Sequence, residues 1–322
     1  MDGPLVSVII PVYNAAKYVE LAVRSIMEQT YRNLEILICD DCSSDSSLEI
    51  IQRLAAEDSR IIVERNEENL KIVKTLNKLV SRAQGKYIAR MDADDISAPE
   101  RIERQVQFMD SNPECLFCGT NVLYIDERGK RIGRSHLPTA LEDICFFLQF
   151  YSTFCHPSVL FRNSVMKTEL YSDDFLLAED YELWCRLLIK GKGVAGNLQD
   201  ELISYRIFKS QSSQKYFDVQ ALSCQRIALT YKFVEENLEK LHCNIFYSVE
   251  SKKDVAAFAY IERVCQSLEN KSFFASFAIY RRIIMYILKY FGFLTTIFHC
   301  LKNRRLSLAL FYLILQKLRR RS

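Results

Sequence analysis

Asp92-Ala93-Asp94-Asp95 sets three carboxylates within four positions. So close together they repel one another, unless a cation neutralises them. Alternate residues of an extended chain project to the same side, so Asp92 and Asp94 can face one site together. A few hard oxygen ligands suit Mg2+ or Mn2+, with water and a substrate diphosphate filling the rest of the shell. For such a run alone, a solvated loop capping the next helix is the plainer alternative. Asp40-Asp41 forms a second acidic group and Pro11-Val12-Tyr13-Asn14 a polar segment. Taken singly these are ordinary turn and cap residues. Glu179-Asp180 opens a helix that carries the single tryptophan, Trp184. An acid in a first helical turn favours the helix dipole. In a site, one of the pair can be a general base.

The surrounding elements bring these groups together. Residues 5–11 (LVSVIIP) read as a buried strand closed by proline, 34–39 (LEILIC) as the next, 61–64 as a third and 86–91 (KYIARM) as a fourth. Helical spacing fills 15–29, 46–56 and 71–82 between them. Strands alternating with helices predict a parallel sheet covered on both faces. Ligands of such sheets lie beyond the carboxyl ends of the strands. Residues 11–14, 40–41 and 92–95 all fall there, so three strand ends and a later carboxylate pair compose one acidic pocket for a metal–nucleotide complex. Beyond residue 96 the pattern loosens, with helices expected at 99–111 and 179–189 and strands at 116–125 and 158–161. Residues 215–270 read as helical.

Composition narrows the classes. A chain of 322 residues with 49% hydrophobic and 26% charged residues is globular, neither disordered nor fibrous. No stretch of about 20 residues is free of charge, as a spanning helix would need, and the opening residues lack a signal peptide's pattern. Eleven cysteines without an export signal imply a reducing cytosol. With nine glycines and neither GxxxxGK[ST] nor GxGxxG, the P-loop and dinucleotide fingerprints are excluded.

Five segments, VSVIIPVYN (6–14), ICDDCSSD (38–45), GKYIARMDADD (85–95), HPSVLFR (156–162) and AEDYELW (178–184), resemble the family 2 glycosyltransferases of the GT-A fold. The resemblance spans roughly residues 5–215, with the motifs in the family's order. It implies an α/β fold, a Rossmann-like, mostly parallel sheet flanked by helices. By the resemblance Pro11, Tyr13 and Asn14 line the nucleotide pocket, and Asp41 accepts a hydrogen bond from the base, usually uracil. Asp92 reaches the ribose or the metal shell, Asp94 binds Mn2+ or Mg2+, and Asp180 is the catalytic base. Glu179, His156, Trp184 and Arg206 are further acceptor or diphosphate contacts, His156 being equally readable as a buried structural histidine. Two positions depart from the family's pattern. Leu70 stands where a glycine is common after Asn69, and Phe208 where a histidine is common, with Arg206 or Lys209 as the cations that would compensate.

The charge is unevenly spread. From 271 to 322 there are eleven Lys and Arg and no acid, so the overall +3 divides into a tail of +11 and a body of −8. On a helical wheel over 271–299, Lys271, Arg281, Arg282 and Lys289 fall in one sector about 100° wide. The remaining arc is mostly Phe, Ile, Leu and Tyr. That pattern fits a helix at an anionic membrane surface, the alternative being a helix packed on the catalytic domain with a wet stripe. A nucleic-acid arm is excluded by its apolar character.

The expectation is therefore a catalytic domain at 1–215, with a nucleotide half about 1–125 and an acceptor half about 126–215. A helical extension at 216–270 and a basic amphipathic tail at 271–322 follow. The expected protein is cytoplasmic, peripheral on the inner face of the membrane. It is an inverting, metal-dependent transferase moving a sugar from a nucleotide sugar, a UDP-sugar by the resemblance, to a glycan or lipid-linked acceptor of cell-surface polysaccharide. The rivals are a sugar nucleotidyltransferase and a non-catalytic membrane-associated nucleotide-sugar-binding protein.

Overall fold

The structure, a computed structural model, describes residues 3–175, 177–208, 211, 216–231 and scattered positions from 261 to 310. The chain divides into two compact units, 1–148 with 152–215, and 149–151 with 216–322.

The first unit is a mixed α/β fold around one nine-stranded sheet. Its first half follows the alternating sequence pattern. The strands are β1 (Val6–Val12), β2 (Leu34–Asp40), β3 (Ile61–Arg65) and β4 (Tyr87–Arg90), separated by α1 (Val19–Met27), α2 (Ser47–Glu57) and α3 (Lys71–Arg82). They lie parallel in the order β3-β2-β1-β4. Every residue of β1 is buried, which explains its unbroken apolar run. The strand runs one residue past Pro11, because Pro11 still pairs with Cys39 in the parallel ladder. Gly85 leads into β4 where a Cβ would stand 2.7 Å from both the Leu5 carbonyl oxygen and the Ser7 nitrogen. Only a glycine lets the chain pass so near β1.

The second half is mixed in direction. It comprises β5 (Ile96–Ser97), α4 (Arg101–Ser111), β6 (Cys115–Ile125), β7 (Arg131–Arg134), α5 (Leu141–Leu148), β8 (Leu160–Arg162), α6 (Asn163–Met166), α7 (Glu179–Cys185) and β9 (Val194–Arg206). The sheet continues β4-β8-β6-β9-β5, with β8 antiparallel to both β4 and β6. The expected strand at 158–161 begins later, since His156–Ser158 is a tight 3-10 turn. The long β9 is not anticipated by the sequence pattern. Its sequence, VAGNLQDELISYR, mixes polar and acidic residues into a strand that pairs with β6 over most of its length.

In the second unit the described part begins with α8 (Phe217–Thr230). Ile261, Val264, Leu268, Ile279, Tyr280, Ile283, Ile284, Leu306 and Ala309 are buried there, while Arg281 is exposed. Most of the expected 216–270 extension and 271–322 tail lies outside the described residues, as does Lys209. No helix among the described residues is long and apolar enough to cross a membrane.

Candidate active site

β4 ends at Arg90 and the chain turns at once through Asp92, Asp94 and Asp95, whose carboxylate oxygens lie within 4.8 Å of one another. Among the described residues this is the one group of three acidic, histidine or cysteine side chains close enough to share an ion. Asp95 is 1% exposed. One of its oxygens accepts the Arg206 backbone N–H at 2.7 Å, and the other, Oδ2, has no hydrogen-bond partner. Burial, then the charge of Asp92, pushes Asp94 up to about 7. Burial and the charges of Asp92 and Asp94 hold Asp95 well above the usual carboxylate range. Converging acids that resist ionisation, with a buried oxygen unsatisfied, form a donor set that a hard divalent cation fits. The sequence reading assigns the metal to Asp94, with Asp92 shared with the ribose; the geometry adds Asp95.

Arg206 closes this turn from the end of β9. Its Nε donates to the Asp94 carbonyl at 2.8 Å, its Nη1 to the Asp126 carbonyl at 3.2 Å, and its guanidinium lies 4.4 Å from the Tyr18 ring centre. Buried and engaged in these bonds, it fastens β9 to the acidic turn and does not stand free as a diphosphate contact. Phe208 packs against the same aromatic, its ring centre 5.6 Å from that of Tyr18. The residue at the position where relatives carry histidine therefore serves packing.

The strand ends on the nucleotide side are tied together by short polar side chains. Asn14, in the left-handed region at φ 49°, accepts the Ser44 N–H at 2.8 Å, and its own N–H donates to Ser43 Oγ at 3.0 Å. Tyr13 between them is 52% exposed, an aromatic face open to a ligand, whereas Pro11 is buried. Asp41 accepts the backbone N–H of Leu70 at 2.8 Å and of Lys71 at 3.0 Å, and the Asn66 amide at 2.8 Å. Its carboxylate caps α3, a role the base-recognition reading does not anticipate. The loop's left-handed residue is Lys71 (φ 70°), while Leu70 is ordinary (φ −78°). The strained position is therefore one residue beyond the one at which the sequence departs from the family pattern.

The base-side pair opens α7. Glu179 is buried with Oε2 unpartnered, and Asp180 is part-buried. Burial, then the charge of Asp180, pushes Glu179 up to about 7. Burial also raises Asp180, against which the Tyr181 backbone N–H and the Arg90 charge work. Trp184, one turn on, is fully buried, its ring 4.7 Å from that of Phe117 and 5.6 Å from that of Phe161. It is a core residue, which corrects its assignment as a substrate contact. A lone tryptophan on a helix face beside a carboxylate pair reads equally as site or core, and burial decides. His156 is buried too, with Nε2 2.8 Å from the Tyr171 hydroxyl and its ring against Trp184. Burial holds it well below its ordinary range, so it is neutral. Its structural alternative describes this geometry.

The sequence reading misses Arg90. Its side chain is 5% exposed and its Nη1 ion-pairs with Asp92, while Nε makes no hydrogen bond. Burial opposes its charge, but Asp92 outweighs burial and the guanidinium stays firmly protonated. A cation two residues ahead of an acidic run at a strand end is the signal that could have found it.

The chain matches the family model described as Glycosyl transferase family 2 over residues 7–170. It is 36% identical over 203 residues to the amylovoran biosynthesis glycosyltransferase AmsE of Erwinia amylovora, covering 62% of this chain and 75% of that protein. It is 33% identical over 214 residues to the UDP-Glc:alpha-D-GlcNAc-diphosphoundecaprenol beta-1,3-glucosyltransferase WfaP of Escherichia coli, covering 66% of this chain and 81% of that protein. In fold it is similar to the mannosyltransferase PcManGT from Pyrobaculum calidifontis, solved in complex with GDP-Man and Mn2+. There the TM-score is 0.57 at 16% identity, over 89% of this chain and 86% of that one.

Proposed function

The chain belongs to glycosyl transferase family 2, and from that premise we propose an inverting transfer of a sugar from a UDP-sugar to a glycan or lipid-linked acceptor in cell-surface polysaccharide synthesis. The observation that carries this reading is the acidic turn Asp92–Asp94–Asp95 at the end of β4, in a fold that also presents the carboxylate pair Glu179–Asp180. Asp94 and Asp95, with Asp92 beside them, would hold Mn2+ or Mg2+. Bound there, the ion would stabilise the charge that develops on the departing nucleoside diphosphate. Tyr13 offers a stacking face to the nucleotide base, and Asn14 and Asp41 hold the loops that shape its pocket. Asp180 takes the acceptor hydroxyl's proton as its oxygen attacks the anomeric carbon and the bond to the diphosphate breaks. A single displacement with no enzyme nucleophile inverts that centre.

A nucleotidyltransferase favours a glycine-rich start after the first strand, and Val12-Tyr13-Asn14 has none. A non-catalytic binding protein has no use for Asp94 and Asp180 together. A thermal-shift screen of UDP- and GDP-sugars, each with and without Mn2+, separates the readings, since a donor that binds the native state raises its melting temperature. One UDP-sugar should stabilise the protein, and only with the ion present. Equal shifts with and without Mn2+ would refute the metal dependence, and a GDP-sugar hit would refute the UDP assignment.

The tail 271–322 would hold the enzyme, cytoplasmic, to the inner membrane face. Ile279, Tyr280, Ile283 and Ile284 are buried while Arg281 is exposed, so the attachment should rest on cations and be screened by salt. The full-length protein should sediment with vesicles containing phosphatidylglycerol at low ionic strength and be released at about 0.5 M salt. Binding that ignores both lipid charge and salt would refute an electrostatic contact.

A further inference from the structure

α4 opens on a buried cation. Arg101 is 0% exposed and makes no ion pair with a described acid. Its contacts are hydrogen bonds. Nε donates to Gln105 Oε1 at 3.0 Å, and Nη2 to the Arg90 carbonyl at 2.7 Å and the Val159 carbonyl at 3.4 Å. Nη1 lies 3.6 Å from the Met91 sulfur. Gln105 extends the link, its amide donating to the Ser158 carbonyl at 2.8 Å.

The Arg90 carbonyl needs this donor because the strand ladder stops there. β4 and β8 run antiparallel with Ala89 opposite Leu160, and in the next pair the Arg90 N–H donates to the Val159 carbonyl at 2.9 Å. Two residues so paired ordinarily exchange both bonds. The Val159 N–H instead donates to the His156 carbonyl at 3.3 Å, within the tight turn His156–Ser158. A buried carbonyl left without a donor is costly. Arg101 Nη2 takes the place of the missing N–H, two residues before the acidic turn begins at Asp92.

We infer that Arg101 is a positioning residue of the acidic turn: by supplying the donor that β8 withholds from the Arg90 carbonyl, it fixes where the chain leaves β4 and so where Asp92, Asp94 and Asp95 converge. Its bearing on sugar transfer rests on the proposed reading of that turn as the metal site. The later residues of the turn are held from β9, where the Arg206 N–H reaches Asp95 and its Nε the Asp94 carbonyl. Arg101 holds the start. Burial draws its guanidinium down to about 9, so it is still protonated at neutral pH, and the carbonyls it joins account for its place in the core.

Two substitutions separate positioning from packing. Arg101→Met is long and apolar and leaves the Arg90 carbonyl without a donor, whereas Arg101→Lys keeps one. The amides to follow are Met91, bonded to the Ile9 carbonyl, and Arg206, bonded to the Asp95 carboxylate. In metal-free, full-length Arg101→Met both should exchange hydrogen about tenfold faster, while the β1–β2 ladder keeps its protection. Mn2+ affinity with UDP present, read by electron paramagnetic resonance, should fall about tenfold, the scale of losing a support outside the ligand shell. Arg101→Lys should bring both readings back to within about threefold of wild type, since one donor to the carbonyl is restored. In Arg101→Met, exchange that quickens throughout the sheet or not at all, or an unchanged Mn2+ affinity, would overturn the inference. So would a lysine variant no better than the methionine one. If Arg101→Met gives no folded protein, Arg101→Lys decides alone: wild-type exchange at the two amides supports the positioning role, and a tenfold rise refutes it. Wild type that binds no Mn2+ with UDP would remove the metal reading, and the exchange pattern would still decide whether Arg101 places the turn.

Discussion

Asp180→Asn should lower turnover about 10²–10⁴-fold with donor affinity nearly unchanged, the loss typical of a missing general base. Asparagine keeps the shape of the side chain and most of its hydrogen bonding but cannot take a proton. Asp180 sits in the first turn of α7, where backbone N–H groups favour an anion, and the Tyr181 N–H does so directly. Donor binding belongs to the strand ends of the other half of the sheet, so it should be spared. Glu179→Gln is the control, because Glu179 is adjacent and points about 100° around the same helix. Burial raises both acids, Glu179 to about 7, so the pair takes up protons at a higher pH than free carboxylates do. Turnover should therefore fall as the pH is lowered and Asp180 becomes protonated. Steady-state rates with calorimetric donor binding for both variants decide the assignment. If Glu179→Gln is the inactive one, or donor binding falls with turnover, Asp180 is not the base.

Asp94→Ala should abolish Mn2+-dependent binding of UDP while the fold persists. The substitution removes one ligand of three and relieves repulsion among Asp92, Asp94 and Asp95. Linkage sets the pH dependence. Asp94 is raised from 3.8 to about 7 in the folded chain, so its protonated form is the one the fold favours. That contribution is fully present below the unfolded value and is lost as pH rises through about 7. Metal-free wild type should then melt lower at pH 8 than at pH 5, and Mn2+ should restore more at pH 8, where it displaces fewer protons. In Asp94→Ala the pH dependence should flatten and the Mn2+ effect vanish. Unchanged Mn2+-dependent UDP binding by calorimetry would refute Asp94 as a ligand.

The two halves of the sheet differ in how far the chain announces them. β1, β2 and β4 are short, continuous apolar runs ending in polar residues, and parallel strands buried on both faces must be written that way. Their carboxyl ends therefore mark Asn14, Asp41 and Asp92–Asp95 without coordinates. The second half carries weaker marks. β9 pairs with β6 through a sequence rich in polar residues, and its direction is set by partners distant in sequence. Strand identity there comes from register and burial, neither of which is local.

The site divides along the same line. Residue types and spacing alone determined an acidic turn, polar strand ends beside it and a carboxylate pair on a helix, because unpaired acids at strand ends are costly and hence conspicuous. Tertiary structure alone decided what each polar or aromatic side chain near them does. Trp184 is core, packed on Phe117 and Phe161. Arg206 is a fastener between β9 and the acidic turn. Asp41 caps α3, and Arg90, passed over by the sequence reading, is a buried cation paired with Asp92. The physical reason is burial. Whether a guanidinium faces water, a carbonyl or a carboxylate depends on which strands meet around it, and in a low-dielectric interior that choice sets both its partner and its charge.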